Sequence, residues 1–126
     1  QRYSAAELLI FQNKDSLAMV TLDSLLTAFP GHNLTDEIFW SKSKILREQG
    51  KFEEALEMLN AIVEGHGTDI LGDDAFYTIA TVYEKDLKRL EDAQQYYGEF
   101  LTRYPGSIYV SEARKNFRKL RGDIIN

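Results

Sequence analysis

Few residues in this chain have the type and spacing that site chemistry requires. His32 and His66 are its two histidines, and with no cysteine and no regular His-carboxylate spacing beside them they make a poor zinc site. We read both as turn residues and expect no metal and no cofactor. Adjacent acids stand at Asp36-Glu37, Glu53-Glu54 and Asp73-Asp74, and two carboxylates can run general acid–base or glycoside chemistry. All three pairs, however, lie where a helix would open. Negative charge there meets unpaired N–H groups and opposes the macrodipole. Gly65, Gly67 and Gly72 surround Thr68 but lack the Lys-Ser/Thr end of a phosphate loop, and no serine sits in a nucleophile motif. Arg121-Gly122-Asp123 reads as a basic last turn followed by a helix-ending glycine. Asn33-Leu34-Thr35 spells a glycosylation acceptor, which has meaning only in a eukaryotic secretory chain. With no convergent catalytic groups, the expectation is a protein that is not an enzyme.

The elements must then supply the function, and composition bounds what they can be. At 126 residues, with 44% apolar and 28% charged residues, the chain has the length and proportions of one globular domain. No apolar stretch approaches the roughly 20 residues that span a bilayer. The net charge of −5 weakens the case for nucleic-acid binding, which draws most of its affinity from phosphate neutralisation. That charge is unevenly spread. Residues 1–84 carry 14 acids and 6 bases, giving −8; residues 85–126 carry 6 acids and 9 bases, giving +3. The basic end suits an acidic partner.

The chain contains two prolines, and each follows an aromatic residue and precedes glycine: Phe29-Pro30-Gly31 and Tyr104-Pro105-Gly106. A step of 37 residues from Pro30 reaches Gly67, and a further 38 reaches Pro105, so a third, degenerate copy lies between them. The same steps align Ala18, Ala55 and Ala93; Leu22, Leu59 and Tyr97; and Ile38, Ala75 and Ala113. Apolar positions recur every three or four residues and nowhere alternate, so each copy reads as two helices. The expected helices lie near 3–12, 15–29, 35–49, 51–64, 73–86, 89–104 and 108–121, with Gly50 leaving helical geometry at positive φ and Asp73 or Asp74 capping an N-terminus.

These residues resemble the tetratricopeptide repeat, a helix pair of about 34 residues with small residues at the helix crossing and a proline closing the second helix. The small first-helix position falls on Ala6, Ser43 and Ala80, the following large one on Leu9, Leu46 and Tyr83, and the closing turn on Pro30, Gly67 and Pro105. The resemblance implies an all-α, right-handed superhelical solenoid of about three helix pairs, near 1–34, 35–71 and 72–108. A C-terminal capping helix at 109–121 would bury Val110, Ala113, Phe117 and Leu120 and expose Arg114, Lys115, Arg118 and Lys119. The longer period and the Tyr104-Pro105-Gly106-Ser107 turn resemble bacterial cell-envelope proteins of this family, including the lipoprotein of the barrel assembly machinery and the Tol-Pal coordinator. Projected backwards, the first unit begins before Gln1, so the expectation from the register is that the chain is the C-terminal part of a longer protein.

In such arrays the first helix of each unit lines the concave surface. The equivalent positions read Tyr3, Trp40, Tyr77 and Lys115. One turn on come Glu7, Lys44, Thr81 and Lys119, and then Arg47 and Glu84. The resemblance implies that this face holds a peptide or helix of another protein, in a periplasmic or outer-membrane setting. The alternative is a spacer or self-association module, joined through its N-terminal end, in which Trp40 and Tyr77 only pack between repeats.

Overall fold

In a computed structural model of the chain, described over residues 15–28, 35–66 and 71–125, the three- and four-residue recurrence becomes six helices. They are α1 (Asp15–Ala28), α2 (Thr35–Glu48), α3 (Phe52–His66), α4 (Gly72–Thr81), α5 (Leu90–Arg103) and α6 (Val110–Ile125). The fold is all-α, and no strand occurs among the described residues. The expected helix at 3–12, the turn at Phe29-Pro30-Gly31, and His32 and Gly67 lie outside those residues. No described helix is long and apolar enough to cross a membrane.

The recurring positions are the core positions. Ala18, Ala55 and Ala93 are fully buried, as are Leu22, Leu59 and Tyr97, and Ile38, Ala75 and Ala113 are at most 3% exposed. Burying one such aliphatic side chain contributes about 1.5–3 kcal/mol. The alanines contribute by staying small, so that a second helix can approach. The acid pairs Asp36-Glu37, Glu53-Glu54 and Asp73-Asp74 fall in the first turns of α2, α3 and α4, as their charge requires.

The chain divides into two compact units, Gln1–Met58 and Leu59–Asn126. In the first, Ala18, Leu22 and Leu25 of α1 close on Ile38 and Ile45 of α2, with Met19 and Leu26 packed at the margin. A turn then ends α2. Gly50 takes φ +77, its N–H reaches the Arg47 carbonyl at 3.1 Å, and the Lys51 N–H reaches the Leu46 carbonyl at 2.8 Å. This pair of bonds is a Schellman motif, and only glycine holds that backbone without strain.

In the second unit α4 packs on α5 and α5 on α6. Gly98 of α5 permits the latter contact, since a Cβ there would lie 2.9 Å from Cε1 of Phe117. Past Thr81 the helix widens into a π turn, Val82–Asp86. The Leu87 N–H bonds the Val82 carbonyl five residues back at 2.9 Å, and the Arg89 N–H bonds the Tyr83 carbonyl six back at 2.8 Å. Lys88 then turns the chain at φ 56. The extra residue between Tyr83 and Ala93, which lengthens the last step from 37 to 38, is absorbed here.

Two boundaries differ from expectation. The last helix does not stop at Arg121 but continues through Gly122 to Ile125; glycine costs a helix only about 1 kcal/mol and no proline follows to enforce an end. Neither Asp73 nor Asp74 is the N-cap of α4. That position is Leu71, with no side-chain bond to the helix end. Asp73 instead sits inside the first turn, where its Oδ1 accepts the Asp74 N–H at 3.0 Å.

Candidate binding face

Of the residues expected to face a partner, Tyr3 and Glu7 lie outside the described residues, and the rest divide between the units. In the first unit α2 carries Trp40, Lys44 and Arg47. Trp40 and Arg47 are half-buried and Lys44 is exposed. The Lys44 ammonium lies 5.6 Å from the centroid of the Trp40 ring, a cation–π arrangement. The Trp40 carbonyl accepts a hydrogen bond from the buried Ser43 hydroxyl at 2.7 Å, which satisfies the one polar group that the small crossing position introduces.

In the second unit α4, its π turn, α5 and α6 bring Tyr77, Thr81 and Glu84 into one network. Tyr77 is half-buried, its ring stacked on Tyr109 at 4.6 Å and 10°. It also meets the edges of Tyr97 and Phe100 at 5.8 and 5.7 Å. Its hydroxyl accepts a bond from Asn116 Nδ2 of α6 at 3.4 Å. Burial pushes the Tyr77 phenol up, the nearby Glu112 carboxylate adds to this, and the Asn116 bond opposes it.

Glu84 is 8% exposed. The hydroxyl of the fully buried Tyr97 donates to its Oε1 at 2.8 Å, and the Lys119 ammonium lies 3.6 Å from its Oε2. A buried carboxylate is costly unless its oxygens are answered, and here both are. The Thr81 hydroxyl donates to the Tyr77 carbonyl at 3.1 Å and lies 3.4 Å from the Tyr97 oxygen. Because the Tyr97 proton is committed to Glu84, the one Thr81 proton is shared between the Tyr77 carbonyl and the Tyr97 oxygen and cannot serve both fully at once. Burial holds Tyr97 far above the ordinary phenol range; Thr81 lowers it and Glu84 raises it further.

Glu84 and Tyr77 are therefore packed residues that anchor α6, while Lys115 stands exposed one residue before Asn116. Sequence reasoning missed three members of this assembly. Asn116 lies one residue beyond a named position on an amphipathic helix. Tyr97 is legible as core, though its hydroxyl role has no sequence signature. Tyr109 follows the Tyr104-Pro105-Gly106-Ser107 turn, and that turn is tied to α4: the Ser107 hydroxyl donates to Asp73 Oδ2 at 2.6 Å and accepts the Tyr109 N–H at 3.1 Å. A hydrogen bond to Asp74, together with burial, pushes the Tyr109 phenol up to about 12. The Asp73-Asp74 pair thus opens a helix and holds the following turn. No group of three or more His or carboxylate side chains arranged for a metal occurs among the described residues.

Residues 74–107 match the sequence model of the tetratricopeptide repeat, from the first turn of α4 through α5 to the Ser107 turn. The chain carries a tetratricopeptide repeat. Its fold is similar to that of MamA, residue 41 to the end, from Desulfovibrio magneticus RS-1, with a TM-score of 0.65 and 19% identity over 96% of this chain and 72% of that one. No curated protein matches the sequence. At such identity the likeness to MamA concerns the fold, an all-α array of helical repeats. The repeat supports a protein–protein interaction scaffold.

Proposed function

We propose that this tetratricopeptide-repeat chain holds a peptide or helix of a partner protein on the concave face that the first helices of its units line, and that it acts without catalysis. The observation that carries this reading is the state of the equivalent residues Trp40 and Tyr77: each is half-buried on a first helix, neither sealed in the core nor fully solvated. Aromatic side chains in that condition bury much area with few torsions to freeze, as binding hot spots require. Trp40 with Lys44 and Arg47, and Tyr77 with Thr81 and the exposed Lys115, form the proposed contact set, with Tyr3 and Glu7 completing the register; Glu84, buried and bound by Tyr97 and Lys119, is left to packing. The repeat units 1–34, 35–71 and 72–108, closed by the helix from 109, supply the frame. Bacterial envelope assembly is the setting we favour, on the resemblance of the long period and the Tyr104–Ser107 turn.

A displayed peptide library selected on the whole chain tests the proposal. Selected peptides are expected to shift the emission of Trp40, the one tryptophan, and to bind at least about tenfold more weakly to Trp40→Ala. A library that yields no binder, or binders indifferent to both Trp40→Ala and Lys115→Glu, overturns it.

A further inference from the structure

Two exposed charge clusters, which share only Lys115 with the proposed contact set, have the same spacing and opposite sign. On α6, Arg114, Lys115 and Arg118 occupy positions i, i+1 and i+4 and are exposed. On the first turns of α3, Glu53, Glu54 and Glu57 occupy the same three offsets and are exposed too. In an α-helix these offsets place three side chains in one triangle, with the outer pair about 6 Å apart along the axis. None of the six makes an ion pair among the described residues, whereas Lys119 is engaged by Glu84 and Arg121 lies over the Phe117 ring. Their surroundings reinforce the contrast. No Lys or Arg occurs from Phe52 to Glu84, while α6 carries five bases against Glu112 and Asp123.

We propose that these triangles are the two halves of a contact between copies of this chain, the α6 cations of one molecule meeting the α3 carboxylates of another. The occupant follows from complementarity already present in the chain: equal number, equal offsets and opposite charge. Two arginines among the three cations add the fork geometry that engages a carboxylate in two places. Nucleic acid and anionic membrane fit less well, because each extends well past one helix face and would meet a chain of net charge −5. A contact made of exposed ion pairs is weak and sensitive to salt, since screening acts over about 10 Å at 0.1 M ionic strength.

Analytical ultracentrifugation of the whole chain across a hundredfold concentration range, at low salt and in molar salt, tests this contact. The expected result is association at low salt that molar salt abolishes. Arg114→Glu/Lys115→Glu/Arg118→Glu and Glu53→Lys/Glu54→Lys/Glu57→Lys should each fail to self-associate, and an equimolar mixture of the two should associate again. Circular dichroism of each variant checks that it has folded, and because all six residues are exposed, single charge reversals can replace any triple that has not. A monomer throughout the range overturns the proposal. So does association that survives the α6 substitutions, or separate variants whose mixture stays monomeric.

Discussion

The first unit closes Ala18, Leu22 and Leu25 on Ile38 and Ile45, aliphatic side chains without a polar atom. The second builds its interior from rings and hydroxyls. Phe100 lies within 5.5–6.5 Å of Phe76, Tyr77, Tyr104 and Tyr109, Tyr83 stacks on Tyr96 at 5.1 Å, and Arg89 and Arg103 lie over Tyr83 and Phe76 at 5.2 and 4.9 Å. One helical pattern thus supports two kinds of core. The aliphatic one specifies that α1 and α2 meet. The aromatic one specifies more, because ring edges prefer particular angles and every buried hydroxyl demands a partner.

That comparison can be broken with probes native to the chain, since Trp40 reports on the first unit and six of the seven tyrosines lie in the second. The largest effect is expected from Phe100→Ala, which removes a fully buried ring and should cost about 3–5 kcal/mol. In urea the near-ultraviolet tyrosine signal should be lost at lower denaturant than the Trp40 emission, and Leu22→Ala should reverse that order. Coincident transitions in both variants would show that the units unfold as one. Tyr97→Phe leaves Glu84 Oε1 without the proton it accepts at 2.8 Å, and should cost about 1–3 kcal/mol. Glu84→Gln, which keeps an acceptor, should cost less; an equal loss from both would place the penalty in packing.

Alkali should separate the units more gently. Tyr109 is raised from 10 to about 12 in the folded chain, so its neutral form is favoured by folding. The associated stability is complete below the unfolded value of about 10 and is lost as the pH rises through about 12. Tyr97 moves in the same direction. A pH ramp from 9 to 12.5, followed by tyrosinate absorbance and Trp40 emission, should lose structure in the second unit first. Tyr109→Phe should flatten part of that slope. Since Tyr109 is only half-buried, solvent screening makes this effect smaller than the core substitutions.

How far these features were legible depended on whether they repeat. Ala18, Ala55 and Ala93, or Leu22, Leu59 and Tyr97, occupy the core in every described copy because stacked helix pairs impose one geometry on equivalent positions. A 37–38-residue step therefore reveals them. Gly50 was legible for a different reason: its positive φ is a local demand that few other residues meet. The Glu84–Tyr97–Lys119 arrangement was not, since it joins residues 13 and 35 positions apart that occur in one copy only. The same holds for Ser107 bonding Asp73 across 34 positions. The proposed face stands between these cases. Its register was readable, while the partition of Tyr77 between packing and exposure depends on a ring, that of Tyr109, supplied by a turn rather than by the repeat.

The π turn at Val82–Asp86 bears on how such a chain tolerates change in length. A residue added to a regular helix rotates everything beyond it by about 100°, turning a buried stripe towards water. Here the surplus is confined to one widened turn, so Ala75, Ile79 and Ala80 before it and Ala93, Tyr97 and Phe100 after it all remain inside. The segment behaves as an expansion joint, taking up the one surplus residue of this copy while the stripes on either side of it stay buried. A repeat protein with such a joint can drift in period without losing its fold, and any comparison of its copies by fixed-length windows will fall out of step there.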